Sequence, residues 1–285
     1  YLYIMKERIL VTGGTGYIGS HTVVELQNSG YEGVIVDNLS NSRADVVDHI
    51  EQITGIRPAF EHVDCLDYEG MDAVFKKYPG IKGVIHFAAS KAVGESVQKP
   101  LLYYRNNLVS LINLLELMPK HNVGGIIFSS SCTVYGQPDV LPVTEAAPIK
   151  KAESPYGNTK QVNEEIVRDT VASGAPINAI LLRYFNPIGA HPSALIGELP
   201  NGVPQNLVPY VTQTAMGIRE KLSVFGDDYD TPDGSCIRDY IYVVDLAKAH
   251  VIAMKRILEG KQKDKVEVFN LGTGRGLSVL ELVHS

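Results

Sequence analysis

The 285-residue sequence has no tryptophan and only three cysteines, Cys65, Cys132 and Cys236. The cysteines lie far apart and form no Cys-x-x-Cys pair, so the sequence predicts neither a disulfide framework nor a zinc site. The spacing of the histidines likewise predicts no metal site. This use of cysteine is typical of a protein from a reducing compartment.

Long apolar runs are also missing: no stretch of ~18 apolar residues could span a membrane, and the first residues do not have the pattern of a secretory signal. With a net charge of -6 and a pI near 5.8, the chain lacks the basic character of a nucleic-acid-binding protein. We therefore expect a cytoplasmic protein that binds neither membrane nor nucleic acid. Any anionic ligand must be held by local groups.

Both ends of the sequence indicate a piece of a longer protein. Residues 1–4 precede Met5 and are interpreted as a fusion remnant or as the sign of a fragment. Residues 278–285 have the pattern of a helix that has barely begun, so we expect the natural chain to continue past Ser285.

The most informative stretch is residues 8–19, where an apolar run gives way to closely spaced glycines. Gly14, Gly16 and Gly19 fit the dinucleotide-binding pattern, in which glycines allow a sharp turn, admit a pyrophosphate and let helix and strand pack closely. The following helix offers unpaired N–H groups to the phosphates. Asp37 ends the next predicted strand, where a carboxylate can bind the ribose hydroxyls of NAD and repel the extra phosphate of NADP. The sequence therefore predicts a site for NAD.

Strands alternate with helices along the first two thirds of the chain, which predicts a doubly wound parallel sheet, that is, an α/β fold of the Rossmann type. The apolar periodicity and the turn residues give the boundaries. Strands are predicted at 8–12, 33–37, 58–63, 83–87, 124–129 and 177–183, and helices at 18–29, 43–54, 67–77, 100–118 and 155–172.

The character of the chain changes after Asn186, where prolines and glycines crowd together. We place a domain boundary there, with a Rossmann domain over residues 1–185 and a smaller α/β domain over residues 186–285 that is truncated at its C-terminus. In this second part we predict helices at 205–219 and 245–258, strands at 222–225 and 266–271, and an irregular acidic loop at 226–236.

The chemistry is predicted at Tyr156 and Lys160, which lie four positions apart on one helix face. A nearby ammonium and a cationic nicotinamide both favour the phenolate form, which a general base requires. Tyr78 and Lys82 have the same spacing, but Pro79 and Gly80 between them indicate a turn, so we discard that pair. Tyr156 follows a Ser-Pro helix start and is placed to face the nicotinamide.

Other polar residues follow predicted strands at the edge where open α/β sheets bind ligands. One of the three serines 129–131, with Ser131 preferred, is a candidate for aligning a substrate hydroxyl. Asp64 either contacts an adenine or is a solvated turn residue, and His86 is interpreted as a core residue. Arg183 and Arg238 either pair with acids or clamp an anionic substrate.

Several blocks go beyond a general fingerprint and closely resemble the UDP-galactose 4-epimerase family of extended short-chain dehydrogenases/reductases. They are residues 11–22, 91–96, 128–131, 182–187 and 238–241. The resemblance implies NAD contacts from Gly13, Gly16, Tyr17, Ile18, Gly19, Asp37, Asn38, Ser42, Asp64, Cys65, Phe87, Ala88, Lys91, Asn106, Ser129, Tyr156, Lys160 and Phe185. It implies UDP-sugar contacts from Lys91, Ser131, Tyr156, Asn186, Asn206, Leu207 and Arg238.

The resemblance also implies a reaction, the reversible epimerisation of UDP-galactose and UDP-glucose at C4, and a role in galactose metabolism. Tyr156 would remove the 4-hydroxyl proton while C4 gives a hydride to NAD, and the hydride would return to the other face of a 4-keto sugar. Lys160 would hold the nicotinamide ribose and lower the pKa of Tyr156, and Ser131 would bind the substrate oxygen. Residues 186–285 would then be the UDP-sugar domain.

The chain departs from the family pattern at three places near these sites. Ala89-Ser90 replaces Gly-Leu, Gln205 replaces the first residue of Asn-Asn, and Cys132 replaces alanine after Ser131. The family also continues past the position of Ser285, where it provides a further arginine for the diphosphate.

Two alternatives remain at this level. A sugar-nucleotide 4,6-dehydratase would share the fold, the cofactor, the tyrosine and the lysine, but it carries an Asp-Glu pair where Val134-Tyr135 follow Thr133 here. A NAD-binding sensor without turnover would more often lack Tyr156 or Lys160. The sequence leaves open whether the protein forms a homodimer and whether N-acetylated sugars fit.

Overall fold

A seven-stranded sheet forms the centre of the molecule in the computed structural model, which describes residues 6–285. The interpretation of residues 1–4 concerns a segment outside the described residues. A second, three-stranded sheet lies in the C-terminal part. The strands are β1 (Arg8–Thr12), β2 (Glu32–Asp37), β3 (Ala59–His62), β4 (Ile81–His86), β5 (Gly125–Ser131), β6 (Asn178–Tyr184), β7 (Asn186–Ile188), β8 (Ile237–Tyr242), β9 (Val266–Leu271) and β10 (Gly276–Ser278).

The large sheet has the order β3-β2-β1-β4-β5-β6-β9, and the small sheet the order β10-β8-β7. Every pair in the large sheet is parallel. The order reverses direction between β1 and β4, and such a switch point opens a crevice at the carboxyl ends of the strands. The predicted doubly wound α/β fold is confirmed, and this crevice is where its ligand is expected.

Helices cover both faces of the large sheet, and a short 3-10 helix (Cys132–Tyr135) follows β5. The α-helices are α1 (Tyr17–Asn28), α2 (Val46–Thr54), α3 (Tyr68–Lys77), α4 (Val93–Gln98), α5 (Pro100–Lys120), α6 (Pro155–Ala172), α7 (Leu207–Ala215), α8 (Val243–Leu258) and α9 (Val279–His284).

The alternation of side chains along each strand divides the core into two layers. Leu10 and Val34 point to one face, where they join apolar residues of α3, α5 and α6 such as Phe75, Leu114 and Val167. The residues that alternate with them point to the opposite layer, formed with α1, α2 and α8. Because both faces are covered, the strands are apolar throughout, as buried parallel strands must be.

The elements predicted up to residue 183 are present, with ends that differ by a few residues. The strand predicted at 222–225 is wrong: that segment is irregular and largely exposed, so no neighbouring strand satisfies its backbone. The short elements α4, β7, β8 and β10 were not predicted. Strand β9 pairs in parallel with β6 in the large sheet, while the division of domains at residue 185 stays a prediction.

Among the residues that the structure describes, no helix combines the length and the apolar character needed to cross a membrane.

Three buried histidines lie close to the large sheet, and burial lowers their pKa values to about 4 for His21, about 3 for His86 and about 4 for His250. The Nδ1 atom of His86 is 2.7 Å from Thr12 Oγ1, which confirms its interpretation as a core residue. Since these pKa values are depressed in the folded state, the unfolded chain binds more protons below its ordinary histidine pKa of about 6.5.

We therefore expect the free energy of unfolding to be highest above pH 6.5 and to fall as the pH drops towards the folded-state values. His250→Gln should reduce the difference in unfolding free energy between pH 7 and pH 5 by about 2 kcal/mol, because one titrating group is removed. Urea unfolding at both pH values measures this difference. His62→Gln, at an exposed position, is the control, and an equal effect there would contradict the expectation.

Candidate active site

The glycine turn between β1 and α1 is shaped for close approach of a ligand to bare backbone. Gly13 has φ +70°, and a Cβ atom there would lie 2.9 Å from the backbone nitrogen of Ala88. A Cβ atom on Gly19 would lie 2.2 Å from the carbonyl oxygen of Gly13. No side chain among the described residues makes a capping hydrogen bond at Gly16, the N-cap of α1. The first N–H groups of α1, at Tyr17 and Ile18, are thus available to an anion such as a pyrophosphate.

Asp37 lies beside this turn at the end of β2, and it organises the adjacent loop. Its Oδ2 atom accepts a hydrogen bond from Thr15 N at 3.2 Å, and its Oδ1 atom accepts from Leu39 N at 2.9 Å and Ser42 Oγ at 3.0 Å. Asn38 Nδ2 donates to Asp64 Oδ2 at 2.9 Å across the ends of β2 and β3. The predicted contacts for an adenosine therefore meet in one place, as a dinucleotide site requires.

Replacing this carboxylate should change the choice between NAD and NADP. In Asp37→Asn, the group that repels a 2′-phosphate is lost, while a side chain of the same size remains. We expect the ratio of the dissociation constants, NADP over NAD, to fall about tenfold, which corresponds to ~1.4 kcal/mol. Calorimetric titration with both nucleotides measures the ratio, and an unchanged ratio would mean that Asp37 does not face the ribose.

The loop after β4 continues the crevice towards the middle of the sheet. Phe87 packs on His250 with ring centroids 4.7 Å apart. Asn106 Nδ2 on α5 donates to Ser90 Oγ at 3.1 Å, so Ser90 holds a residue that is predicted to contact the cofactor. Cys65, at the end of β3, is buried, and burial raises the pKa of its thiol to about 12. This cysteine is therefore a residue of the core rather than a reactive group, and its contact with NAD stays a prediction.

Tyr156 and Lys160 lie in the first turns of α6, at the carboxyl end of β5. The helix begins after Ser154, whose Oγ accepts a hydrogen bond from Gly157 N at 3.1 Å, and Pro155 occupies its first position. Lys160 Nζ donates to the carbonyl oxygen of Ser129 at 2.7 Å and lies 5.8 Å from the centroid of the Tyr156 ring. The predicted pair of phenol and ammonium is thus together in space.

The electrostatics of this pair depend on its burial. Burial raises the pKa of Tyr156, the neighbouring Tyr184 adds to the rise, and a hydrogen bond with Ser131 opposes it. Burial also lowers the pKa of Lys160 to about 8, while the charge of Glu164 opposes that change. A phenolate here therefore needs further positive charge nearby, which a cationic nicotinamide provides.

The three serines at the end of β5 have three different environments. Ser129 Oγ contacts Tyr184 OH, and Ser130 Oγ donates to Glu164 Oε1 at 2.5 Å. Ser131 lies beside Tyr156, and its Oγ accepts a hydrogen bond from Thr133 N at 3.3 Å. Because only Ser131 shares the space of the tyrosine, it is the serine that can align a substrate hydroxyl.

Three residues predicted for the sugar nucleotide, Asn186, Leu207 and Arg238, lie on β7, α7 and β8. Asn186 Nδ2 donates to the carbonyl oxygen of Asp239 at 3.1 Å, which joins β7 to β8. Arg238, on β8, is exposed, and Leu207 begins α7. Phe185 N donates to Leu271 O at 3.1 Å at the edge of the large sheet. The functional roles of these residues stay predictions.

Glu198 was not predicted, yet it contacts two of the candidate residues. Asn206 Nδ2 donates to Glu198 Oε1 at 2.5 Å, and Lys91 Nζ lies 3.4 Å from the same oxygen. The residue lies in the loop between β7 and α7 that is rich in proline and glycine, where no periodic pattern indicates which side chain turns inward. Arg183, by contrast, is buried against Glu164 and is not available as an anion clamp.

Comparisons with known proteins agree with this geometry. A sequence profile of the NAD dependent epimerase/dehydratase family matches residues 9–272. UDP-glucose 4-epimerase from Dictyostelium discoideum is 54% identical over 279 residues, which cover 98% of this chain and 80% of that protein. The protein of the same name from Bacillus subtilis is 55% identical over 275 residues, which cover 96% of this chain and 80% of that protein.

Among solved structures, UDP-glucose 4-epimerase from Bifidobacterium longum in complex with NAD+ and UDP is similar, with a TM-score of 0.91 and 51% identity. The match covers 96% of this chain and 81% of that chain. The resemblance inferred from the sequence motifs is confirmed: the chain belongs to the NAD dependent epimerase/dehydratase family.

Proposed function

We propose that the protein interconverts UDP-glucose and UDP-galactose by epimerisation at C4, with NAD as its tightly held cofactor. The observation that carries the proposal is the meeting of Ser131, Tyr156 and Lys160 at the switch-point edge of a sheet whose glycine turn accommodates a pyrophosphate. Relatives named UDP-glucose 4-epimerase, which are 54% and 55% identical to this chain, support the same reaction. This activity would place the protein in galactose metabolism.

NAD, when bound, supplies the acceptor and later the donor of the hydride of C4. The chain supplies the proton chemistry: Tyr156 takes the proton of the 4-hydroxyl and returns it to the oxygen of the epimer. Lys160, fixed by the carbonyl of Ser129, holds positive charge beside the phenolate. Ser131 donates or accepts a hydrogen bond at the same sugar oxygen and thereby orients it.

The remaining proposed roles follow from position in the crevice. Gly13, Gly16, Gly19, Tyr17 and Ile18 would hold the pyrophosphate. The adenosine would contact the group Asp37, Asn38, Ser42, Asp64 and Cys65, and the nicotinamide end would contact Phe87, Ala88, Lys91, Asn106, Ser129 and Phe185. The UDP-sugar would contact Lys91, Asn186, Asn206, Leu207 and Arg238.

A dehydratase reaction is disfavoured by the residues after Thr133. Val134 and Tyr135, which stand where a dehydratase carries its acidic pair, are both buried in the core. Neither can deliver or remove a proton from C5 or C6 of a sugar in the crevice. Elimination of water therefore has no acid and base in this site.

A homodimer is the assembly that the surface supports. Leu102, Val109 and Ile112 are exposed on one face of α5, at spacings of seven and three residues, and Leu101 lies beside them. Such an apolar stripe fits the same stripe of a second copy. Sedimentation of wild type and Ile112→Glu tests the assembly, and a monomeric wild type would contradict it.

The three cysteines are free, which supports a reducing, cytoplasmic location.

The reaction is tested by incubating the protein with UDP-galactose, with and without added NAD, and separating the products by chromatography. We expect UDP-glucose to accumulate until its ratio to UDP-galactose is constant. The same final ratio should be reached when the reaction starts from UDP-glucose. A 6-deoxy-4-keto product would indicate a dehydratase instead. Retention of NAD without any product would indicate a binding protein and overturn the proposal.

A further inference from the structure

A buried ion pair lies directly behind the tyrosine and the lysine. Glu164 follows Lys160 by four residues and Tyr156 by eight on α6, so the three side chains share one helix face. Arg183 Nε donates to Glu164 Oε1 at 2.8 Å, and Arg183 Nη2 donates to Glu164 Oε2 at 2.5 Å. Both residues are 4% exposed. The bidentate geometry fixes the relative position of the two side chains in two directions.

The same carboxylate is tied to the strand that carries Ser131. Ser130 Oγ donates to Glu164 Oε1 at 2.5 Å, and Ser130 is paired in register with Arg183 on β6. The neighbours of Ser130 are Ser129, whose carbonyl accepts from Lys160, and Ser131, which lies beside Tyr156. Glu164 therefore connects α6 to both strands at the level of the reacting groups.

The charge of Glu164 is shared between two buried cations. Lys160 is 3% exposed, and Glu164 opposes the lowering of its pKa by burial. Burial also acts to lower the pKa of Arg183, but the hydrogen bonds and the charge of Glu164 raise it. An unpaired buried charge is costly. Loss of the carboxylate would therefore leave Lys160 and Arg183 as an excess of positive charge near Tyr156.

Few other charges face this region from the elements packed around it. Two charged groups lie near it: Glu95, which is paired with Lys99, and Arg168, which lies 3.9 Å from Glu164 near the surface. Within the described residues the set of titratable groups comprises His86 of β4, Glu95 of α4, Tyr103 and Tyr104 of α5, Cys132 and Tyr135 of the 3-10 helix, Tyr184 of β6 and Arg168 of α6.

We propose that Glu164 is a positioning residue of the reaction: through Ser130 and Arg183 it fixes α6 against β5 and β6, and its charge sets the pH range in which Tyr156, beside Lys160, takes and returns the proton. Glu164 itself touches neither the sugar nor the cofactor. The inference rests on the proposed epimerase function and extends it to residues behind the site.

Glu164→Gln keeps the shape of the side chain and removes its charge. Loss of a nearby negative charge lowers the pKa values of both Tyr156 and Lys160. Both limbs of the profile of kcat/KM against pH should therefore move to lower pH, by about one pH unit. Glu165→Gln is the matched control, because it removes the same charge from the next, exposed position of the same helix, and its limbs should stay in place.

Arg183→Gln should shift the pH profile of kcat/KM in the opposite direction. An uncompensated Glu164 raises the pKa values of Tyr156 and Lys160, so both limbs move to higher pH. The double variant Glu164→Gln with Arg183→Gln is neutral like the wild-type pair, and its limbs should return close to those of wild type. Circular dichroism shows whether each variant is folded. If either single variant is unfolded, the double variant provides the test. Limbs in the double variant that are displaced as far as one pH unit contradict the proposal.

Lower activity with unmoved limbs in the folded single variants would also overturn the proposal, since it would reveal a merely structural ion pair. A wild-type protein that releases no UDP-glucose from UDP-galactose would overturn the proposed function instead. The two failures are thus distinguished by the wild-type assay alone.

Discussion

Tyr156→Phe is expected to lose about 10³-fold in kcat while NAD stays bound, because general-base catalysis contributes roughly 10²–10⁴-fold. The phenylalanine ring fills the same volume beside Lys160, so the cofactor pocket keeps its shape. Only the oxygen that takes and returns the proton is lost. The rate of formation of UDP-glucose and the NAD content of the purified variant measure the two effects separately.

The chain offers a matched control for this substitution. Tyr78 precedes Lys82 with the same spacing, but it lies in a turn, and its hydroxyl donates to Glu61 Oε1 at 2.5 Å. Tyr78→Phe should therefore cost a little stability and leave kcat within about twofold of wild type, because the hydroxyl that it removes binds Glu61 and no residue of the candidate site. If Tyr156→Phe retained wild-type turnover, Tyr156 would not be the base.

Gly19→Ala is expected to have the largest effect on the cofactor. The added Cβ atom would lie 2.2 Å from the carbonyl oxygen of Gly13 and 2.9 Å from Gly14 Cα, and both of these atoms belong to the backbone. The start of α1 must therefore move away from the turn. We expect a loss of ~1–3 kcal/mol in unfolding free energy, typical of overpacking. The affinity for NAD should fall about 100-fold, which corresponds to ~2.7 kcal/mol.

Gly94→Ala is the control for this glycine, since no atom lies within 4 Å of a Cβ at that position of α4. Its affinity for NAD, measured by calorimetry, should equal that of wild type. Unaltered NAD binding in Gly19→Ala would show that the turn does not approach the pyrophosphate.

The fold could be predicted where one signal dominated. Strands such as β1, β2 and β5 have apolar centres; β1 is followed by a glycine, and β2 and β5 end in aspartate and serine, because buried parallel strands end at the ligand edge. Short elements such as β7 and β10 could not be predicted, since three residues carry no period. The segment 222–225 has the β-branched and aromatic residues of a strand, but a strand needs a partner, and its sequence contains no information about one.

The site could be predicted in the same unequal way. Tyr156 and Lys160 share a helix turn, so their spacing in sequence already places them together. Glu164 has an equally regular position on that helix, but its partners Arg183 and Ser130 lie on two other elements, and only the fold brings them to it. Glu198 lies in a loop without a period. Residues that act through long-range contacts are therefore the ones that sequence reasoning missed.

The central claim is that the hydride leaves C4 and returns to the same carbon without reaching solvent. The most direct measurement is the conversion of UDP-galactose that carries deuterium at C4, followed by mass and NMR analysis of the product. The account predicts UDP-glucose that retains the deuterium at C4, with no incorporation from water. UDP-glucose whose label has exchanged with solvent, or the absence of UDP-glucose, would contradict it.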